Sequence, residues 1–135
     1  MQEGSREPRR LELPWPPKAA SANGSHGGWR TKSDAAKGYK TLCLYSLKGS
    51  GVRPVKGWPD GYCPTVVTFH PPRNGRMDAD NAVNRIKSGL DAVADAIGVD
   101  DGWFWPMLLV KGDKCPGGRV VVCIHPPGTN IADVI

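Results

Sequence analysis

No run of apolar residues in this chain of 135 approaches the roughly 20 that a membrane-crossing helix needs. The start, MQEGSREPRR, has no apolar stretch behind its charges, so a secretory leader is not expected and a cytoplasmic location is. Cysteine is sparse and badly spaced for chemistry. Cys43, Cys63, Cys115 and Cys123 lie 20, 52 and 8 positions apart, which fits neither a zinc knuckle nor a CxxC redox pair and leaves reduced thiols as the expectation. The histidines His26, His70 and His125 are equally scattered, and the last two open HPP triplets that a turn after a strand explains. No internal repeat is present. The length suits one domain with one core, and 17 glycines and 13 prolines predict few long regular elements.

What the chain does have is an uneven distribution of charge. The net charge is +5, yet residues 78–101 hold six aspartates (78, 80, 91, 95, 100 and 101) against only Arg85 and Lys87. Outside that window stand 16 of the 18 basic and 7 of the 13 acidic residues, a net of +9. A basic body with one acidic patch suits a metal-dependent nuclease, in which cations hold the phosphate backbone and carboxylates hold the metal. A solvated surface with one acidic helix would give the same distribution.

Residues 1–10 carry no periodic apolar pattern and are expected to form a disordered basic arm. LELPW (11–15) is expected as a short strand, and the stretch from Lys18 to Gly28 as a loop. A helix is expected from Ser33 or Asp34 to about Leu47, with Ala36, Tyr39, Cys43, Leu44 and Leu47 at helical spacing. Its ladder of Lys32, Lys37, Lys40 and Lys48 is a wet face that could also grip phosphate. YCPTVVTFH (62–70) reads as a strand. From Asn81 to Ile97 the apolar set Ala82, Val83, Ile86, Leu90, Val93, Ala94 and Ile97 repeats every three or four residues, and Gly98 supplies a left-handed cap. FWPMLLV (104–110) and RVVVCIH (119–125) read as an antiparallel hairpin around GDKCPGG. The order β, α, β, α, β, β predicts an α+β domain: a small mixed sheet packed with two main helices over residues 11–127, then a tail over 128–135.

Asp78 and Asp80 are two apart where extended chain enters a helix, so their side chains point the same way and can converge on a cation. A helix start accounts for the same residues, because its partial positive charge favours carboxylates and Asp80 or Asn81 can cap it. An EF-hand is excluded: with Asp78 first, the sixth position is Val83 rather than glycine and the twelfth is Gly89 rather than glutamate. Asp100 and Asp101 follow the far end of the same helix, whose 17 or so residues span about 25 Å. Convergence with Asp78 and Asp80 therefore requires a shorter or bent helix, or acids supplied by a second chain.

The segment FHPPRNGRMDADNAVNRIKSGLDAVADAIGVDD resembles the RusA family of Holliday junction resolvases: a strand, a basic loop, D-x-D-N, a helix with a lysine and an aspartate, then a D-D pair. LPWPPKAASANGSHGGWR is similar to that family's opening LPxPPSxN segment, with Asn23 at its asparagine. The resemblance covers residues 11 to about 125. It implies a homodimeric, Mg²⁺-dependent endonuclease that binds four-way or branched DNA in recombination and repair, recurring in phages and prophages, with no membrane partner. Asp78, Asp80 and Asp101 take the places of the catalytic, metal-binding acids. The family's helix lysine, four residues after the second aspartate, is here Asn84, and Lys87 three positions on lies on nearly the same helix face. Lys87 is accordingly the expected catalytic lysine, although it is also placed as an i,i+4 partner of Asp91. Lys18, Asn23, Arg73, Arg76 and Arg85 are candidate DNA contacts. GWFWPM after Asp101 is core or a base-stacking surface. The rival expectations are a RusA-like DNA-binding protein that has lost cleavage with its displaced lysine, and a basic protein of RNA metabolism.

Overall fold

The computed structural model describes residues 7–18 and 28–134; Asn23, six residues of the expected basic arm (1–6) and most of the loop after Lys18 lie outside them. The elements are β1 (Arg9–Pro14), α1 (Gly28–Gly49), β2 (Thr65–His70), α2 (Ala79–Ile97), β3 (Met107–Lys111) and β4 (Arg119–Ile124). Short 3-10 turns cover Asp101–Trp103 and Ile131–Asp133. This is the expected small α+β domain with a mixed sheet and two main helices. Among the described residues no helix is long and apolar enough to cross a membrane.

The strand order is β1-β4-β2-β3, with β4 antiparallel to both neighbours and β3 parallel to β2. The expected β3–β4 hairpin is therefore wrong. The chain leaves β3 at the sheet edge, crosses the end of β2, and returns as β4 on the far side of β2. Two backbone bonds fix that crossing: Gly112 donates to the Phe69 carbonyl (2.8 Å) and Cys115 to that of Pro71 (2.9 Å). Burial explains the choice. Val120, Val121 and Val122 are all buried, which suits a central strand, whereas β3 is half-exposed along its length and suits an edge.

One face of the sheet makes the core. Leu11 and Leu13 of β1 stand opposite Val122 and Val120 of β4, which in turn stand opposite Val67 and Phe69 of β2, and all six are buried. Period two carries the pattern on to Thr65 and Ile124, and to Met107 and Leu109 of β3. Against this face α2 sets Ala82, Ile86, Leu90, Val93 and Ile97, and α1 sets Tyr39, Cys43 and Leu47. Burial raises the Cys43 thiol to about 11, so it stays protonated, and no two of the four cysteines are bonded.

Element ends depart from expectation where local chemistry acts. Helix α1 starts at Gly28, so Ser33 and Asp34 lie inside it rather than capping it. Strand β1 starts at Arg9, so Arg9 and Arg10 of the expected arm are paired, with Ile124 and Cys123. Strand β2 starts at Thr65 because residues 62–64 are instead tied to 103–106, through Cys63 N–H to Trp103 O (2.6 Å) and Thr65 N–H to Pro106 O (2.9 Å). Helix α2 matches closely, and Gly98 (φ 72°) closes it by donating to Ala94 O.

The three-way junction of α1, α2 and β1 turns on Gly89. A Cβ there would lie 2.9 Å from the Tyr39 ring and 3.1 Å from Leu13 Cδ1, and Tyr39 cannot retreat because its hydroxyl donates to the Pro14 carbonyl at 2.6 Å. Alanine would gain about 1 kcal/mol of helix propensity but overpack the core by about 1–3 kcal/mol. Gly89→Ala is therefore expected to destabilise the protein, by up to about 2 kcal/mol, in urea unfolding; unchanged or increased stability would show that the junction has slack.

Candidate functional site

Because α2 buries one face, its polar residues emerge on the other as a stripe. Asp80, Asn84, Lys87 and Asp91 follow at steps of four, three and four, which places them within about 60° of arc. The stripe begins where Asp78 serves as the N-cap in extended conformation, with its carbonyl accepting from Ala82 N–H at 3.0 Å. The Asp78 carboxylate makes no cap bond and is approached by Arg76 Nε at 3.2 Å. Both groups are well exposed, so the pair contributes at most about 1 kcal/mol. Asp80 accepts from the Asn81 N–H through Oδ1 (3.0 Å), and its carbonyl accepts from the Asn84 side chain (3.1 Å). The first two acids are thus engaged in starting the helix.

After Gly98 the chain turns back along α2. Asp100 Oδ1 accepts from Gly102 N–H at 2.8 Å and opens the 3-10 turn that carries Asp101. That turn brings Asp101 back alongside the C-terminal half of α2, where it lines one depression with Asp91 and acts on the Asp91 carboxyl. Asp91 is pushed above its ordinary carboxyl range, first by burial and then by Asp101, while Lys40 and Lys87 pull it back. Lys40 also reaches across from α1 to pair with Asp95 at 3.1 Å.

Two depressions flank Asp101. One, of about 560 Å³, is lined by Lys40, Asp91, Asp95, Asp100 and Asp101 among others. The other, of about 390 Å³, runs between α2 and the start of β3, with Asn84, Lys87, Asp101, Phe104 and Trp105 on its walls. Asp101 and Lys87, expected as parts of one site, do share a groove. Asp78 and Asp80 line neither depression, and Asp80 stands about 16 Å up the helix axis from the level of Asp91. Among the described residues no three His, Cys, Asp or Glu side chains are grouped to hold a metal ion. Asp101 thus shares its groove with Asn84 and Lys87, while Asp78 and Asp80, its expected partners about a magnesium ion, lie at the start of α2 outside both depressions.

The expected phosphate contacts separate as well. Arg73 and Arg76 are exposed on the loop before α2, and Lys18 is exposed after β1. Arg85 is turned inward: its Nη2 donates to Pro16 O at 2.7 Å and its guanidinium lies 5.3 Å from the Trp15 ring centre. It anchors the chain leaving β1. Asp91, which the sequence offers as one acid of the 78–101 window and as an i,i+4 partner of Lys87, is the helix residue that the fold sets beside Asp101. Its position eleven residues after Asp80, on the same stripe, was the available signal.

The raised Asp91 carboxyl has a pH signature. A group whose folded value lies above its ordinary 3.8 stabilises the fold fully below that value, and loses the contribution as pH rises through the folded one. Asp91→Asn is therefore expected to match the wild type in thermal unfolding near pH 3.5 and to exceed it at pH 7. A wild type that is the more stable of the two at pH 7 would mean that Asp91 gains more from the lysines than it loses beside Asp101.

No protein-family model matches the chain. It is 34% identical over 125 residues, covering 90% of this chain and 78% of the relative, to an uncharacterized protein of Xylella fastidiosa strain Temecula1. The chain belongs to the same protein family as the Xylella fastidiosa protein.

Proposed function

We propose that this protein is a RusA-like, structure-selective DNA endonuclease that acts on four-way and related branched DNA as a homodimer. One observation carries the proposal: a stripe of Asp80, Asn84, Lys87 and Asp91 on the polar face of α2, with Asp101 folded back beside Lys87 and Asp91. The D-x-D-N start, the helix and the D-D pair that resemble the family are all part of that stripe or its cap. The net charge of +9 outside residues 78–101 supports an anionic partner.

The chemistry assigned to the chain's own residues is limited and concrete. Lys87 is exposed beside Asp101 and supplies the positive charge that a phosphate oxygen needs. The ionised carboxylates beside Lys87 can accept a proton from an attacking water. Because one chain leaves Asp78 and Asp80 apart from Asp101, the proposal assigns completion of a cation-binding acid group to two copies of the chain.

The separation of the acids and the asparagine at position 84 favour a second reading, a RusA-like protein that binds DNA without cutting it. Purified protein with a labelled four-way junction, in Mg²⁺ or in EDTA, decides between them. Incision in Mg²⁺ with binding retained in EDTA is expected, and Asp80→Asn, Asp101→Asn and Lys87→Ala should each reduce incision by about 100-fold or more while retaining binding in EDTA. Junction binding with no incision in either condition would establish the second reading; preference for RNA over junction DNA would remove both.

A further inference from the structure

The segment that folds Asp101 onto α2 continues directly into a group of exposed aromatic rings. Tyr62 and Trp105 are each 62% exposed and Trp103 is 37% exposed. Scattered apolar residues on a surface need no explanation, but contiguous ones mark a contact site. These are contiguous. Tyr62 and Trp103 meet edge to face with ring centres 5.3 Å apart, and Tyr62, Trp105 and Pro106 line an open cleft of about 460 Å³.

The rings are held outward by the backbone. Residues 62–65 and 103–106 are tied together by the two hydrogen bonds that delay the start of β2. Cys63 and Phe104 point into the core and are buried, while Tyr62, Trp103 and Trp105 point out. The core is filled without them, and the exposed rings sit on an anchored support that costs little ordering to use.

Trp105 also lines the groove that contains Asn84, Lys87 and Asp101. The aromatic cleft and this groove, whose wall also holds Val83, Leu90, Phe104 and Met107, are thus neighbours sharing Trp105. The groove carries Lys87 beside its rings, so an occupant that is flat and apolar at one end and anionic at the other uses both features. A base joined to its phosphate is such a group: the ring lies against Tyr62 and Trp105, and the adjoining phosphate lies toward Lys87. We propose that Tyr62 and Trp105 form a stacking cleft for an unpaired base of bound DNA, beside the acidic stripe. This rests on the nucleic-acid reading above and adds to it the class of DNA preferred, one with unpaired nucleotides next to the point of contact.

The test uses full-length protein and a labelled oligothymidylate, with fully paired duplex of equal length as the reference. Wild type is expected to bind the unpaired strand with quenching of tryptophan fluorescence. Trp105→Ala and Tyr62→Ala should each weaken that binding about tenfold and leave duplex binding unchanged, while Trp105→Phe and Tyr62→Phe, which keep a ring, should retain most of it. Equal affinity of the alanine variants and wild type for the unpaired strand would overturn the inference. So would a loss that coincides with dissociation of a dimer in sedimentation velocity, because the rings would then belong to a contact between copies. Four-way junction incision, run in parallel, separates the two proposals. Incision by wild type with no ring effect sinks the stacking cleft alone, whereas ring-dependent binding without incision sinks the nuclease alone.

Discussion

The packing of one face of α2 onto one face of the sheet is the constraint from which the other features follow. Ile86, Val93 and Ile97 are fully buried, and with Ala82, Gly89 and Leu90 they fix the rotation of the helix about its axis. Once that rotation is fixed, Asp80, Asn84, Lys87 and Asp91 have no choice but to face outward in a line. The same packing sets how closely α1 approaches, because the missing side chain at Gly89 admits the Tyr39 ring and Leu13. Full burial of side chains as large as Ile and Val contributes about 1.5–3 kcal/mol each, more than the exposed ion pairs around the stripe can supply. The polar site is therefore positioned by apolar contacts on the opposite side of its own helix.

Asp101 illustrates how the fold gathers charges that sequence keeps apart. Its turn is opened by Asp100, held by backbone bonds to the segment before β2, and closed by the buried Phe104. Each of these is an ordinary structural device, yet together they press one carboxyl against another. That contact is unfavourable when both are ionised, and the lysines on α1 and α2 offset it. An arrangement that opposes its own charges in this way persists because the surrounding core determines it.

Much of this was legible in the sequence, and for physical reasons. The three-four spacing of Ala82, Ile86, Leu90, Val93 and Ile97 and the glycine at 98 located α2 almost to the residue, since helical pattern is local. Strand pairing is not local, and the supposed hairpin failed for that reason: VVV in β4 was read as any strand, when three consecutive buried valines are the composition of a central one. Arg85 was read as a surface cation because a sequence does not display Trp15 and Pro16 folding over it. The Asp78–Asp80 pair was placed correctly at a helix start, and the 25 Å length of that helix already warned that Asp101 could not easily join it within one chain. Asp91 was hidden by attention to its nearest charged neighbour.

The sheet order has a consequence for how the protein comes into being. Strand β4 lies between β1 and β2, although it follows both in the chain and is the last strand to be made. Until it arrives, β1 has no strand to pair with, and β2 can pair only with β3. A ribosome-bound chain lacking β4 can form the β2-α2-β3 unit, but it holds an apolar slot open beside β2. The finished domain is therefore sealed from its centre by its last strand, and the interval before that closure is when the nascent chain is most exposed to wrong partners.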